Sequence, residues 1–160
     1  MDNWDNYTGR LLSCTESGGW NFEPASGKIR FAYGIGASSN TYYHATPTVT
    51  LSSLGSNWHF FVGTYDGLSG KIYIDGKLEG TTNSSTTQTP IWYHSSNGIF
   101  IGAESSGNVI TPVSGAYFTG KISDVRIYAT ALTEAQIQEL YNTSATIDNL
   151  GNAYARELVE

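Results

Sequence analysis

Two tripeptides, Tyr42-Tyr43-His44 and Trp92-Tyr93-His94, each set an aromatic pair beside a Ser/Thr-rich stretch, with Asn40 and Asn97 close by in the chain. Trp20 is a further aromatic near an expected turn or loop. Residues of these types suit a sugar, whose CH face stacks on a flat ring while amide and backbone groups bond its hydroxyls. Alternatively, one member of each pair is simply buried.

Catalytic chemistry finds less support. The chain has 14 acidic residues, yet no two stand at i and i+2 on an expected strand. That spacing would put two carboxylates on one face of a strand, and retaining glycoside hydrolysis needs a pair about 5 Å apart. No Gly-x-Ser-x-Gly elbow is present. The three histidines, His44, His59 and His94, lack the short spacing of a zinc site. Cys14 is the single cysteine, which excludes an intrachain disulfide and a thiolate metal cluster. Its apolar neighbours Leu11 and Leu12 mark it as a small buried hydrophobe. The expectation is therefore a protein without catalytic residues.

Composition narrows the partners. The net charge is -6 over 160 residues, and binding a phosphate backbone needs clustered Lys and Arg. Charged residues are only 14% and aromatics 13%, so the chain has the apolar surface to fold rather than stay disordered. No run of about 18 apolar residues is present, which argues against membrane insertion. Residues 1–5 show neither a basic region nor an apolar run, and so are not expected to act as a secretory signal.

The elements that must position these residues are mostly strands. Ile29, Phe31, Tyr33 and Ile35 alternate on one face of 28–35, and Trp58, Phe60, Val62 and Thr64 on one face of the next strand. Ile72 and Ile74, then Ile99 and Ile101, mark two more. Asp75-Gly76 forms the tip of a hairpin over 70–80, because a type I′ turn needs positive φ at both central residues. The Ser/Thr-rich stretch 81–90 reads as a loop. Within 117–128, Phe118, Gly120 and Ile122 share one face but Val125 and Ile127 the other, so a bulge near Ser123-Asp124 is expected to restore both sets to the core. Asp124 is expected to bond at that bulge or to pair with Arg126. One helix starts at Thr133, with Gln136 completing a capping box and Ile137, Leu140 and Tyr141 forming its apolar stripe. The sum is an all-β, two-sheet antiparallel sandwich with one short C-terminal helix: one domain over 1–142, and 143–160 as a final strand, extension or linker.

Three ordered segments carry a family likeness. They are Trp58-His59-Phe60-Phe61-Val62-Gly63-Thr64-Tyr65-Asp66-Gly67, then Lys71-Ile72-Tyr73-Ile74-Asp75-Gly76-Lys77, then Gly120-Lys121-Ile122-Ser123-Asp124-Val125-Arg126-Ile127-Tyr128 with Ala131-Leu132-Thr133 after it. The combination resembles the laminin G-like jelly-roll branch of the concanavalin A-like lectin/glucanase superfamily. That resemblance implies a concanavalin A-like jelly roll in which Trp58, Phe60 and Tyr128 are core residues. It also implies a further strand pair ahead of 4–14, either trimmed away or supplied by the tail after Asn142.

The likeness further implies a binding module for a glycan or surface polysaccharide, displayed on a virion or bacterial exterior. The alternative is a structural or protein-adhesion module contacting other subunits of such an assembly. Ligand contacts would fall to Trp92, Tyr93, Asn97, Tyr42, Tyr43, Asn40 and Trp20. No cofactor is expected unless it is the single calcium that related modules often hold, for which Asp66, Glu16 and Glu104 are the candidate ligands. Turn chemistry offers Asp66 the plainer role of bonding its own loop backbone.

Overall fold

The computed structural model describes residues 9–14, 18–36, 42–93, 98–106 and 109–144. In chain order its elements are β1 (Leu12–Cys14), β2 (Trp20–Ala25), β3 (Lys28–Gly34), β4 (Tyr42–Ala45), α1 (Leu51–Leu54), β5 (Phe61–Tyr65), β6 (Ser69–Ile74), β7 (Lys77–Asn83), β8 (Phe100–Ile101), β9 (Ala103–Ser106), β10 (Val109–Tyr117) and α2 (Glu134–Ser144). The strands form a five-stranded sheet, β4-β3-β2-β1-β8, a three-stranded sheet, β5-β6-β7, and the hairpin β9-β10. Every pairing is antiparallel.

The core lies between the two larger sheets. Leu12, Phe22, Phe31 and Ala45 are register partners across four strands and all face inward. Ile29, Phe31 and Tyr33 are buried together, as the alternation over β3 requires. Their rings pack in series: Phe22–Phe31 and Phe31–Tyr33 at 5.5 Å, Tyr33–Tyr65 at 4.7 Å. Across the sandwich, Phe61, Tyr65 and Ile72 complete the contact.

The β5 face is the reverse of the sequence expectation. Residues Phe61, Gly63 and Tyr65 point inward, whereas Phe60 meets the Tyr141 ring of α2 at 6.1 Å on the outer side. Trp58 is 53% exposed rather than a core residue. Gly63 explains the choice: a Cβ there would come within 2.4 Å of the Phe31 ring. Only the parity that puts Gly63 under Phe31 lets the sheets close, and one step of parity reverses a whole strand.

The local signals behave as expected. At the β6–β7 turn Asp75 has φ 51° and Gly76 φ 78°. The Asp75 carboxylate accepts from Phe60 N at 2.9 Å and meets His59 Nδ1 at 2.8 Å. Thr133 N donates to Gln136 Oε1 at 2.9 Å and Gln136 N to Thr133 Oγ1 at 3.3 Å, which closes the capping box. Ile137 is fully buried. Strand β7 runs to Asn83, into the stretch expected to be a loop. Helix α1 was not foreseen; Thr50 N donates to Ser53 Oγ at 3.2 Å, and Leu51 packs on the core.

Two expected strands are reduced. Only Phe100–Ile101 pairs in the first, and Ile99 and Ile101 are 53% and 59% exposed. In the second, pairing stops at Tyr117, and 118–133 is neither strand nor helix. Tyr128 is accordingly 46% exposed, not a core residue. The expected bulge is not formed, because there is no paired strand to carry it, and Val125 and Ile127 are 39% and 57% exposed rather than in the core, although Asp124 does take φ 53°. Asp124 also grips Arg126 with both oxygens, at 2.7 and 2.9 Å. Periodicity identifies an apolar face, but it does not supply the strand that must receive it.

Candidate functional site

Four of the aromatics picked out from the sequence lie around the Gly18–Trp20 stretch at one end of the five-stranded sheet, Trp20 on its inner face and Tyr42 on its outer one. The Tyr42 hydroxyl accepts from Gly18 N at 3.0 Å and donates to Gly18 O at 2.8 Å. Gly19 N donates to Trp92 O at 2.6 Å, Gly34 N to Gly19 O at 2.9 Å and Trp92 N to Gly34 O at 3.1 Å. These bonds weave β3, the Gly18-Gly19 turn and the Trp92 segment into one backbone platform. The Trp92 ring lies over Gly18. Beside it, the Trp20 indole hydrogen-bonds the Tyr93 hydroxyl, and burial outweighs that bond to push the Tyr93 pKa upward. Tyr93 remains 49% exposed.

Tyr43 turns inward and stacks on Tyr33 at 6.0 Å. So one member of the Tyr42-Tyr43 pair serves the core and the other serves the platform. Asn40, Asn97 and His94 lie outside the described residues, as does the tail from 145.

Trp20 and Tyr93 also border a cleft of about 1240 Å³ between the sheets. Its floor includes Leu12, Phe22 and Phe31, one wall is β5, and the other is the segment 118–132. His59 lines it as well, and His59 Nε2 is buried with no hydrogen-bond partner. The His59–Asp75 pair thus supplies two members of a nucleophile-activating triad, and among the described residues no hydroxyl or thiol bonds His59 Nε2.

The opposite face of the five-stranded sheet holds an ionic network invisible in the sequence. Glu23, 7% exposed, binds Arg10 Nη1 at 2.9 Å and Arg30 Nη2 at 2.5 Å, with His44 Nε2 at 3.4 Å. Arg10 Nη2 reaches Glu104 at 2.7 Å. Burial, aided by Arg30 and opposed by Glu23, lowers the His44 pKa and keeps the ring neutral at pH 7. Two carboxylates on one guanidinium form a structural clamp. Replacing Glu23 with alanine should cost about 1–3 kcal/mol in urea unfolding, below the value for a fully buried pair because both arginines keep some solvent.

Comparison with known proteins follows the same lines. A laminin G-like family model, described as the concanavalin A-like lectin/glucanases superfamily, matches residues 1–138. The chain belongs to this superfamily. No curated protein matches it. Among solved structures, it is similar to the 2.1 Å crystal structure of an S-layer domain-containing protein from Clostridium thermocellum ATCC 27405. That match has 23% identity and a TM-score of 0.43, and it covers 85% of this chain and 64% of the other.

For a laminin G-like domain, loop carboxylates raise the matter of calcium. Asp66 Oδ1 accepts from Leu68 N at 2.9 Å and Ser69 N at 2.8 Å, and these bonds, Ser69 first, hold its pKa down. Glu104 is committed to Arg10, and Glu16 lies outside the described residues. Among the described residues no three His, Cys, Asp or Glu side chains converge. Asp66 and Glu104 are thus each engaged by groups of the chain itself, Asp66 by its own loop backbone and Glu104 by Arg10. No helix among the described residues is long and apolar enough to cross a membrane.

Proposed function

We propose that this laminin G-like domain is a non-catalytic glycan-binding module displayed on a cell or virion exterior, with its ligand surface at the Trp20, Tyr42, Trp92 and Tyr93 end. One observation carries this: Tyr42, Trp92 and Tyr93, from two distant stretches of chain, are all bonded to the Gly18–Trp20 stretch, and Tyr93 keeps half its surface in solvent although its neighbours are tied down. A half-exposed ring held by a hydrogen bond is a preorganised stacking surface, and rigidity lowers the entropic cost of binding. The reading against catalysis rests on the commitment of Glu23 and Glu104 to Arg10, and on the incomplete His59–Asp75 pair.

The test is a glycan array on the folded domain, with and without calcium, followed by titration of any hit against Tyr93→Ala. Affinity is expected to fall at least tenfold while the domain still melts cooperatively within several degrees of the unmodified chain, since half the ring is already in solvent and its removal otherwise costs one Trp20 bond. A blank array from well-folded protein would overturn the glycan assignment in favour of adhesion to other subunits.

A further inference from the structure

On the glycan reading of the aromatic end, the charges around that end narrow the class of sugar. The chain's 8 Lys and Arg residues leave three long stretches, 11–27, 31–70 and 78–120, with neither. The end is built from these stretches: Gly18 to Trp20 from the first, Gly34 and Tyr42 from the second, Trp92 and Tyr93 from the third.

The nearest cations along the sheet are held elsewhere. On β3, Arg30 and Lys28 precede Gly34 by about 13 and 20 Å at the usual strand rise. Arg30 and Arg10 both grip Glu23, and Lys28 Nζ donates to the carbonyls of Pro47 and Thr48 at 2.8 and 3.2 Å. Lys71 alternates with the core residue Ile72, so it lies on the face of the small sheet turned away from the core. The loop that anchors the run leading to Trp92 carries a negative charge instead. Tyr65 OH donates to Thr89 O at 2.7 Å and Thr89 N to Gly67 O at 3.0 Å, next to Asp66, whose carboxylate is kept ionised at pH 7 by bonds from Ser69 and Leu68.

Hydrogen bonding points the same way. The Tyr42 hydroxyl is engaged by Gly18, and Gly19 and Gly34 bond the Trp92 backbone. Burial raises the Tyr93 pKa, so its hydroxyl stays a neutral phenol bonded to the Trp20 indole. The half-exposed Tyr93 ring is therefore what a ligand meets first. A sugar's CH face gains by covering that ring, whereas a carboxylate, sulfate or phosphate would give up water there and meet no counter-charge. The net charge of -6 also repels a polyanion before contact.

Resting on that reading, we propose that the aromatic end takes an uncharged glycan, held by stacking on Tyr93 rather than by an ion pair, and rejects carboxylated, sulfated and phosphorylated sugars. Binding of this kind is insensitive to ionic strength, because salt screens only interactions between charges.

The test is an array of neutral, carboxylated, sulfated and phosphorylated glycans, probed with the full chain in calcium-containing buffer. It is run at about pH 8, where histidines of ordinary pKa are uncharged, and at about 20 and about 300 mM salt. Hits are expected among the neutral glycans alone, changing less than twofold between the two salts and weakening at least tenfold in Tyr93→Ala. Hits on acidic glycans, or binding that salt weakens twofold or more, would overturn the uncharged class while leaving a glycan site in place. Neutral hits that Tyr93→Ala retains would overturn the stacking. An array blank for every class would instead overturn the glycan reading itself, and the uncharged class with it.

Discussion

Replacing Tyr33 with phenylalanine should destabilise the domain by about 2–4 kcal/mol, although only one oxygen is lost. Tyr33 is completely buried at the middle of the sandwich. Its hydroxyl donates to Thr82 O and accepts from Gly70 N, each at 2.9 Å. It is thus a hydrogen-bonded tie between the sheets, and the phenyl ring would strand the buried Gly70 amide and the part-buried Thr82 carbonyl together. Urea unfolding at pH 7 measures the loss, and a change below about 0.5 kcal/mol would show that the hydroxyl does not bridge the sheets.

Alkaline pH provides a second reading of the same residue. Burial pushes the Tyr33 pKa above its ordinary value, and burial raises Tyr65 and Tyr73 too. A phenol that holds its proton more tightly when folded contributes stability fully below the unfolded value near pH 10. That contribution is lost as pH climbs through the folded value. Urea midpoints should therefore drop steeply above pH 10. The drop should be shallower, not absent, in Tyr33→Phe, because Tyr65 and Tyr73 still titrate.

What the sequence revealed follows the range of the forces involved. The Asp75-Gly76 turn and the Thr133–Gln136 cap are decided by atoms within four residues of one another, so their residue types alone announce them. The face of β3 is equally plain, because three large residues alternate on it. The face of β5 was not legible, since the choice between Phe60 and Phe61 is made by Phe31 on the opposite sheet filling the space over Gly63. Arg10, Glu23 and Glu104 lie far apart in the chain and share no motif, so only folding reveals that they form one clamp. At the candidate site the sequence named Trp20, Tyr42, Trp92 and Tyr93 from ring chemistry. It gave no hint that Gly18 is the point around which Tyr42 and Trp92 gather.

Gly18 is consequently where a single methyl should do the most damage to that site. Gly18→Ala is expected to cost about 2–4 kcal/mol and to abolish at least nine-tenths of any glycan affinity. Two effects add. Gly18 has φ 109°, a conformation L residues avoid, and a Cβ there would sit 2.3 Å from both the Trp92 ring and the Trp92 carbonyl. Relief requires Trp92 to move, which strains the Gly19 and Gly34 bonds to its backbone and the Tyr42 grip on Gly18. Gly36→Ala separates the two effects, since Gly36 has φ 87° but nothing within 4 Å of its would-be Cβ. That variant should lose about 1 kcal/mol from backbone strain and keep its binding. Thermal melts and titrations of the two variants side by side check the pair. Equal losses of stability would mean that the Trp92 ring does not rest on Gly18. An intact affinity in Gly18→Ala would remove the platform from the binding surface.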